Sequence, residues 1–272
     1  LSYFIIISFF SAILQLSLKK LFLLNYFSYE LNRLFISGTV FIIAYVFHLK
    51  YSFRDYKKVG VAIYANGVEN LNNIHSRIGQ YSDFIHVDIV DKTMCKNAED
   101  VKTYRLETMK AYWPDTQIQT HIMSKQPSEW VDQVLSHSDV IYVHAECEED
   151  ISEIFEKIRS NGKKPGLALT ISTNPDDVIQ YLKKSSYVLL LTISNPGNSG
   201  QKFDIEGLER IKQLNNLSFR KQFTLCIDGG VNENIVNILD AENIVSGSSV
   251  LKNKDPKWQI MRLQTRGRYG AV

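Results

Sequence analysis

Phe84-Ile85-His86-Val87-Asp88-Ile89 is an apolar run interrupted at alternate positions by an imidazole and a carboxylate. A strand sends successive side chains to opposite faces, so His86 and Asp88 share one face. The same grammar repeats on both sides of this run. Short apolar, β-like stretches are expected at 59–64, 84–89, 118–122, 140–144, 166–170, 187–193, 223–227 and 243–245. Longer amphipathic stretches separate them. In 150–160, Ile151, Ile154, Phe155 and Ile158 fall on one helical face. Ser128 and Asn174 stand where helix caps are expected, Asn174 directly before Pro175-Asp176-Asp177. Eight β–α units spaced by roughly 20–35 residues predict a (β/α)8 TIM barrel. A doubly wound open sheet is the runner-up, and it gives no reason for eight strands.

In a parallel barrel, ligands meet at the C-terminal mouth of the strands. Four polar residues occur at the ends of otherwise apolar runs: His86, Asp88, His121 in Gln119-Thr120-His121-Ile122-Met123, and Asp228 in Cys226-Ile227-Asp228-Gly229-Gly230. Any one alone reads as a satisfied structural residue. Four together do not read as solvated surface, because a buried carboxylate is costly without a partner. Two imidazoles with two carboxylates can hold one divalent cation and also move protons. The donor set suits Zn, Fe, Mn or Co. Three loops rich in small residues follow the last strands: Asn195-Pro196-Gly197-Asn198-Ser199-Gly200-Gln201, Gly229-Gly230, and Ser246-Gly247-Ser248-Ser249. Small residues let backbone N–H groups approach an anion, and loops after strands seven and eight are the usual phosphate site of this fold. A phosphorylated small molecule is the expected ligand.

The 272 residues carry a net charge of +2 and three cysteines without Cys-x-x-Cys spacing. No basic stripe interleaved with aromatics points to nucleic acid. Cys95, Cys147 and Cys226 read as reduced thiols. The first residue is Leu, so the chain is expected to be a fragment or trimmed at that end. Composition changes near residue 50. Residues 1–18 and 34–47 are uncharged, and each run is near the lower limit for a bilayer span. Two N-terminal transmembrane helices are therefore expected within residues 1–53. Tyr3, Tyr26, Phe27, Tyr29, Tyr45 and Tyr51 would sit at the interfaces. The basic cluster Lys50, Arg54, Lys57 and Lys58 would put the rest of the chain on the cytoplasmic side of the membrane. The barrel is expected over 59–255, followed by a basic tail over 256–272, read as a solvated charged end in preference to a last helix and tail resting on anionic lipid.

The motifs His86-Val87-Asp88-Ile89-Val90-Asp91, His121-Ile122-Met123, Val143-His144-Ala145-Glu146, Asn195-Pro196-Gly197-x-x-Gly200-Gln201-Lys202-Phe203 and Asp228-Gly229-Gly230-Val231 resemble the ribulose-phosphate 3-epimerase family, in its order and with its spacing. The resemblance covers about 59–251. It implies one divalent metal held by His86, Asp88, His121 and Asp228, with Asp88 and Asp228 as the acid/base pair. It implies a phosphate site at Gly197, Asn198, Ser199, Gly200, Gly229, Gly230, Gly247 and Ser248, and a pocket bordered by Tyr64, Met123 and His144. The implied reaction is epimerisation at C3 of a ketose phosphate through an enediolate. The alternative is an inactive sugar-phosphate-binding barrel that regulates a membrane-bound surface-polysaccharide system. The chain departs from the family pattern at Tyr64, where a serine is usual, in Lys92-Thr93-Met94-Cys95-Lys96-Asn97, and at Asn198-Ser199. The first 50 or so residues resemble the last two spans of GtrA-like membrane proteins. Homo-oligomerisation is left open.

Overall fold

The computed structural model describes residues 2–21, 29–48 and 57–266. The chain divides into two compact units, Leu1–Tyr56 and Lys57–Val272.

The first unit holds two helices, α1 (Ser2–Leu21) and α2 (Tyr29–Phe47). They run antiparallel: Gln15 donates to Ser37 Oγ at 3.0 Å, and the rings of Phe4 and His48 lie 4.7 Å apart. Ile36 and Val40 are buried, whereas Phe9, Phe10, Leu34, Phe35 and Phe41 are exposed. The expectation of two bilayer spans is corrected here: among the described residues, no helix is long and apolar enough to cross a membrane. For α2 the physical reason is length. Glu30 and Arg33 occupy the start of α2, which leaves the uncharged run 34–47. At 1.5 Å per residue that run reaches roughly 21 Å, against a hydrocarbon core of about 30 Å. Tyr26, Phe27, Tyr51, Lys50 and Arg54, expected as interfacial and orienting residues, lie outside the described residues.

The second unit is a closed parallel barrel in which each strand pairs with the next and the first with the last. Its strands are β1 (Lys58–Tyr64), β2 (Phe84–Val90), β3 (Gln117–Met123), β4 (Val140–His144), β5 (Lys164–Thr170), β6 (Tyr187–Leu191), β7 (Thr224–Asp228) and β8 (Asn243–Ser246). The strands alternate in burial partner. Ala62, Phe84, Val140, Tyr142, Ala168, Leu189, Cys226 and Val245 fill the lumen. Their neighbours Val61, Ile85, Val87, Ile141, Leu167 and Leu225 pack outward against the helices. Gly166 is a packing necessity: a Cβ there would come within 2.3 Å of the Tyr142 ring that fills the lumen.

The helical layer is shorter than the sequence pattern suggests. It comprises α3 (Leu71–Ile78), α4 (Tyr104–Tyr112), α5 (Ser128–Val134), α6 (Ile151–Ser160), α7 (Ile179–Leu182), α8 (Gly207–Asn215), α9 (Ser248–Leu251) and α10 (Pro256–Arg266). On α6 the four expected residues are buried, and Asp150 caps the helix by accepting from Ser152 N–H at 2.8 Å. Asn174 caps a 3-10 turn, Pro175–Val178, as expected, while the cap position of α5 falls on Pro127 rather than Ser128. Residues 256–266, expected as part of a solvated tail, form α10. Ile260 and Leu263 are fully buried because they recur on one helical face.

Candidate active site

β2 places His86 and Asp88 on the lumen side, two residues apart, as its alternation requires. Parallel register sets Asp88 beside His121 of β3 and beside Tyr64 of β1. Asp228 ends β7 opposite Leu191. Its carbonyl accepts from both the N–H and the hydroxyl of Thr192, at 2.7 and 2.8 Å. The chain must then turn back at once. Gly229 and Gly230 have positive φ, and a Cβ on Gly230 would meet the Phe203 backbone at 2.1 Å.

These elements bring His86, Asp88, His121 and Asp228 together, all buried, with one ligand atom of each within 4.8 Å of the others. His86 Nε2 lies 3.4 Å from Asp88 Oδ1 and 3.6 Å from Asp228 Oδ2. His121 Nδ1 lies 3.2 Å from Asp88 Oδ1 and 3.5 Å from Asp228 Oδ2. A regular tetrahedron around bonds of 2.0–2.1 Å has edges of about 3.3 Å. The four imidazole–carboxylate separations lie near that value, and the two remaining pairs lie within 4.8 Å. His86 Nε2 is buried with no hydrogen-bond partner, a costly position for a polar atom unless a cation takes its lone pair. The donor set and its geometry therefore fit a divalent metal.

Asp88 and His121 hold each other in charged forms. Burial pulls the His121 imidazolium down, but hydrogen bonds and charge from Asp228 and Asp88 outweigh it and lift its pKa to about 9. Burial raises Asp88, and the charge of His86 beside it with the hydrogen bond from His121 overcomes this, so it stays well below the usual carboxylate range.

Above the cluster opens a cleft of about 390 Å³. Asp88, Asp228, Tyr64 and Met123 line it. So do Gly197, Asn198, Ser199, Gly200, Gly229, Gly230, Gly247 and Ser248, the residues expected at a phosphate. Burial, with Asp88 and Asp228 nearby, pushes the Tyr64 phenol far up, so it stays neutral. His144 does not belong to the cleft. The expectation that it borders the pocket is corrected: it is fully buried, its Nε2 is 2.8 Å from His121 Nε2, and its Nδ1 is 2.8 Å from Glu146 Oε2. It stands behind His121. Three further residues are not among those expected at the site, although Asp91 and Lys202 fall inside the motifs quoted above. Lys202 and Lys252 line the cleft beside the small-residue loops. Asp91 holds the loop after β2 through Trp130 Nε1–H at 2.8 Å. Exposed lysines and loop carboxylates are common, so none of the three stands out in the chain.

An eight-stranded parallel barrel with buried carboxylates and imidazoles opening on a cleft at its C-terminal mouth has the architecture of a barrel enzyme. The family described as "Ribulose-phosphate 3 epimerase family" matches residues 58–251. The ribulose-phosphate 3-epimerase of Helicobacter pylori strain J99 is 32% identical over 189 residues, 67% of this chain and 86% of that protein. That of Bacillus subtilis is 27% identical over 190 residues, 67% and 86% of the two chains. The crystal structure of 3-hexulose-6-phosphate synthase from Salmonella typhimurium shares the fold, with a TM-score of 0.58 at 14% identity over 79% of this chain and 100% of that one. The chain belongs to the ribulose-phosphate 3-epimerase family, and it is an isomerase of the epimerase kind. The matched residues begin at 58, and the GtrA-like resemblance of the N-terminal segment receives no support.

Proposed function

We propose that this chain is a metal-dependent epimerase that inverts C3 of a ketose phosphate of the ribulose 5-phosphate/xylulose 5-phosphate type. The observation that carries this reading is the buried cluster of two carboxylates and two imidazoles that opens on the cleft. The names of the Helicobacter and Bacillus relatives support the class of substrate.

Inverting a carbon beside a ketone needs one proton removed from one face and one returned to the other. Asp88 and Asp228 reach the cleft from β2 and β7. Asp88 Oδ1 and Asp228 Oδ2 are turned to the imidazoles, which leaves each carboxylate a second oxygen for the proton. One of the pair, ionised, takes the C3 proton and becomes the acid, and the electron pair moves into an enediolate. The other, starting as the carboxylic acid, gives its proton to C3 from the opposite face and is left as the carboxylate. The roles exchange for the reverse reaction. His86, Asp88, His121 and Asp228 would hold a divalent metal, which when bound would supply Lewis-acid stabilisation of the enediolate charge. Glycine- and serine-rich loops, with Lys202 and Lys252, receive the phosphate.

The test is hydrogen exchange at C3. Full-length protein supplied with Zn or Mn and either pentulose phosphate in deuterated water should incorporate solvent deuterium at C3 and interconvert the two epimers. Tyr64, larger than the usual serine, favours the second reading, an inactive binding barrel. Phosphate-dependent binding of the sugar with no C3 exchange under any of these metals would establish that reading and sink the first.

The exposed apolar side chains of α1 and α2 support association of the first unit with lipid. Recovery of the full chain in the soluble fraction of lysed cells without detergent would reject this.

A further inference from the structure

His121 uses its two nitrogens in opposite directions. Nδ1 faces the carboxylates of the cluster, and Nε2 meets His144 Nε2 at 2.8 Å. Two imidazole nitrogens at that distance share one proton, so one donates and the other accepts. A nitrogen that offers its lone pair to a cation leaves the proton on the other nitrogen. His121 must then carry it on Nε2 and donate to His144. His144 Nε2 must accept, which puts its own proton on Nδ1, and that nitrogen lies 2.8 Å from Glu146 Oε2. The chain ends on Glu146, whose other oxygen, Oε1, is also fully engaged. It accepts from the Thr170 N–H at 2.9 Å, the Thr170 hydroxyl at 2.8 Å and the Thr173 hydroxyl. Every donor in the chain points the same way, and the anchor is a carboxylate held by the end of β5 and the turn after it.

We infer that Glu146, acting through His144, is a positioning residue that fixes which nitrogen of His121 faces the metal site. This rests on the reading of the cluster as a metal site. Among the described residues His86 has no comparable brace, since neither of its nitrogens has a hydrogen-bond partner. Replacing the carboxylate by an amide breaks the pattern either way round. The amide nitrogen faces the Thr170 N–H, or it faces His144 and demands the opposite tautomer.

The experiment uses the full chain with Zn(II) or Co(II) alone. In zinc-loaded, 15N-histidine-labelled protein, nitrogen–proton correlation spectra should show His144 neutral with its proton on Nδ1 and His121 protonated on Nε2. Glu146→Gln should weaken Zn(II) affinity in competition with a chromophoric chelator by about 10–100-fold and shift the visible spectrum of bound Co(II). A folded Glu146→Gln protein with unchanged Zn(II) affinity and Co(II) spectrum overturns the inference, as does a wild-type His144 protonated on Nε2. The tautomer measurement needs no variant, so the inference stands or falls even where Glu146→Gln does not fold. Wild-type protein that binds no Zn(II) overturns both the metal site and the brace. Zinc binding with intact tautomers but no C3 exchange sinks the epimerase reading alone.

Discussion

At the base of the cleft, the wall is made of side chains carried inside β2, β3 and β7, buried, and fixed by parallel register. Above it, after β6, β7 and β8, it is made of loops rich in glycine and serine. The first wall can change charge and exchange protons. The second offers N–H dipoles that keep one state at every working pH. Chemistry and binding are therefore expected to be separable by mutation: the cage should govern turnover and metal content, and the loops should govern affinity.

The largest separation is expected from Asp88→Asn and Asp228→Asn. Each should cut C3 deuterium exchange by about 10³-fold or more, since it removes both a proton carrier and an anionic metal ligand. Circular dichroism should be unaltered. Turnover within tenfold of wild type in either variant would remove the cage from the reaction.

Next comes metal removal. Dialysis against a chelator should abolish exchange and lower the melting temperature by roughly 5–10 °C, the amount expected when a ligand at about 100 times its Kd is withdrawn from a domain of this size. Both should return on adding a divalent cation. A melting temperature indifferent to chelation would count against a metal at the cage.

A smaller effect is expected on the loop side. Lys252→Ala should raise KM for the sugar phosphate by about threefold to tenfold, because an exposed cation near a phosphate contributes on the order of 1 kcal/mol, and should leave kcat near wild type. A fall in kcat with KM unchanged would show that the two walls do not divide the work.

The smallest effect concerns acid stability. Burial raises Glu146, but the hydrogen bond and charge of His144 and the Thr173 and Thr170 donors outweigh it and hold its pKa at about 2. A carboxylate depressed in the folded state adds stability above its ordinary pKa near 4.5, and that stability is lost as pH falls through about 2. The urea midpoint of wild type should exceed that of Glu146→Gln at pH 5, and the gap should shrink by pH 2.5. A constant gap would mean that the carboxylate charge is not what stabilises.

Much of the barrel is legible in residues 57–266. All eight expected strands occur, with most ends displaced by one or a few residues, because short apolar runs buried on both faces alternate with longer amphipathic stretches along the chain. His86, Asp88, His121 and Asp228 stand out because polar residues at the ends of apolar runs need partners. His144 carries the same signal with a different meaning. Sequence marks it as a strand-end imidazole but not as one that lies behind another ring. Glu146, just past β4, looks like an ordinary loop carboxylate. The N-terminal segment misleads for a different reason: its uncharged stretches resemble spans until helix ends and flanking charges set the length of the apolar part.

The order of apolar and polar residues by itself determined that there are eight strands, which side chains of a strand share a face, and which residue types could meet at the mouth, because these depend on the local period of the backbone. Which imidazole faces the cleft and which braces it, and that Glu146 is held by Thr170 and Thr173, was decided only by the closed barrel. The stagger between neighbouring strands sets those distances, and stagger belongs to the pairing of segments far apart in the chain.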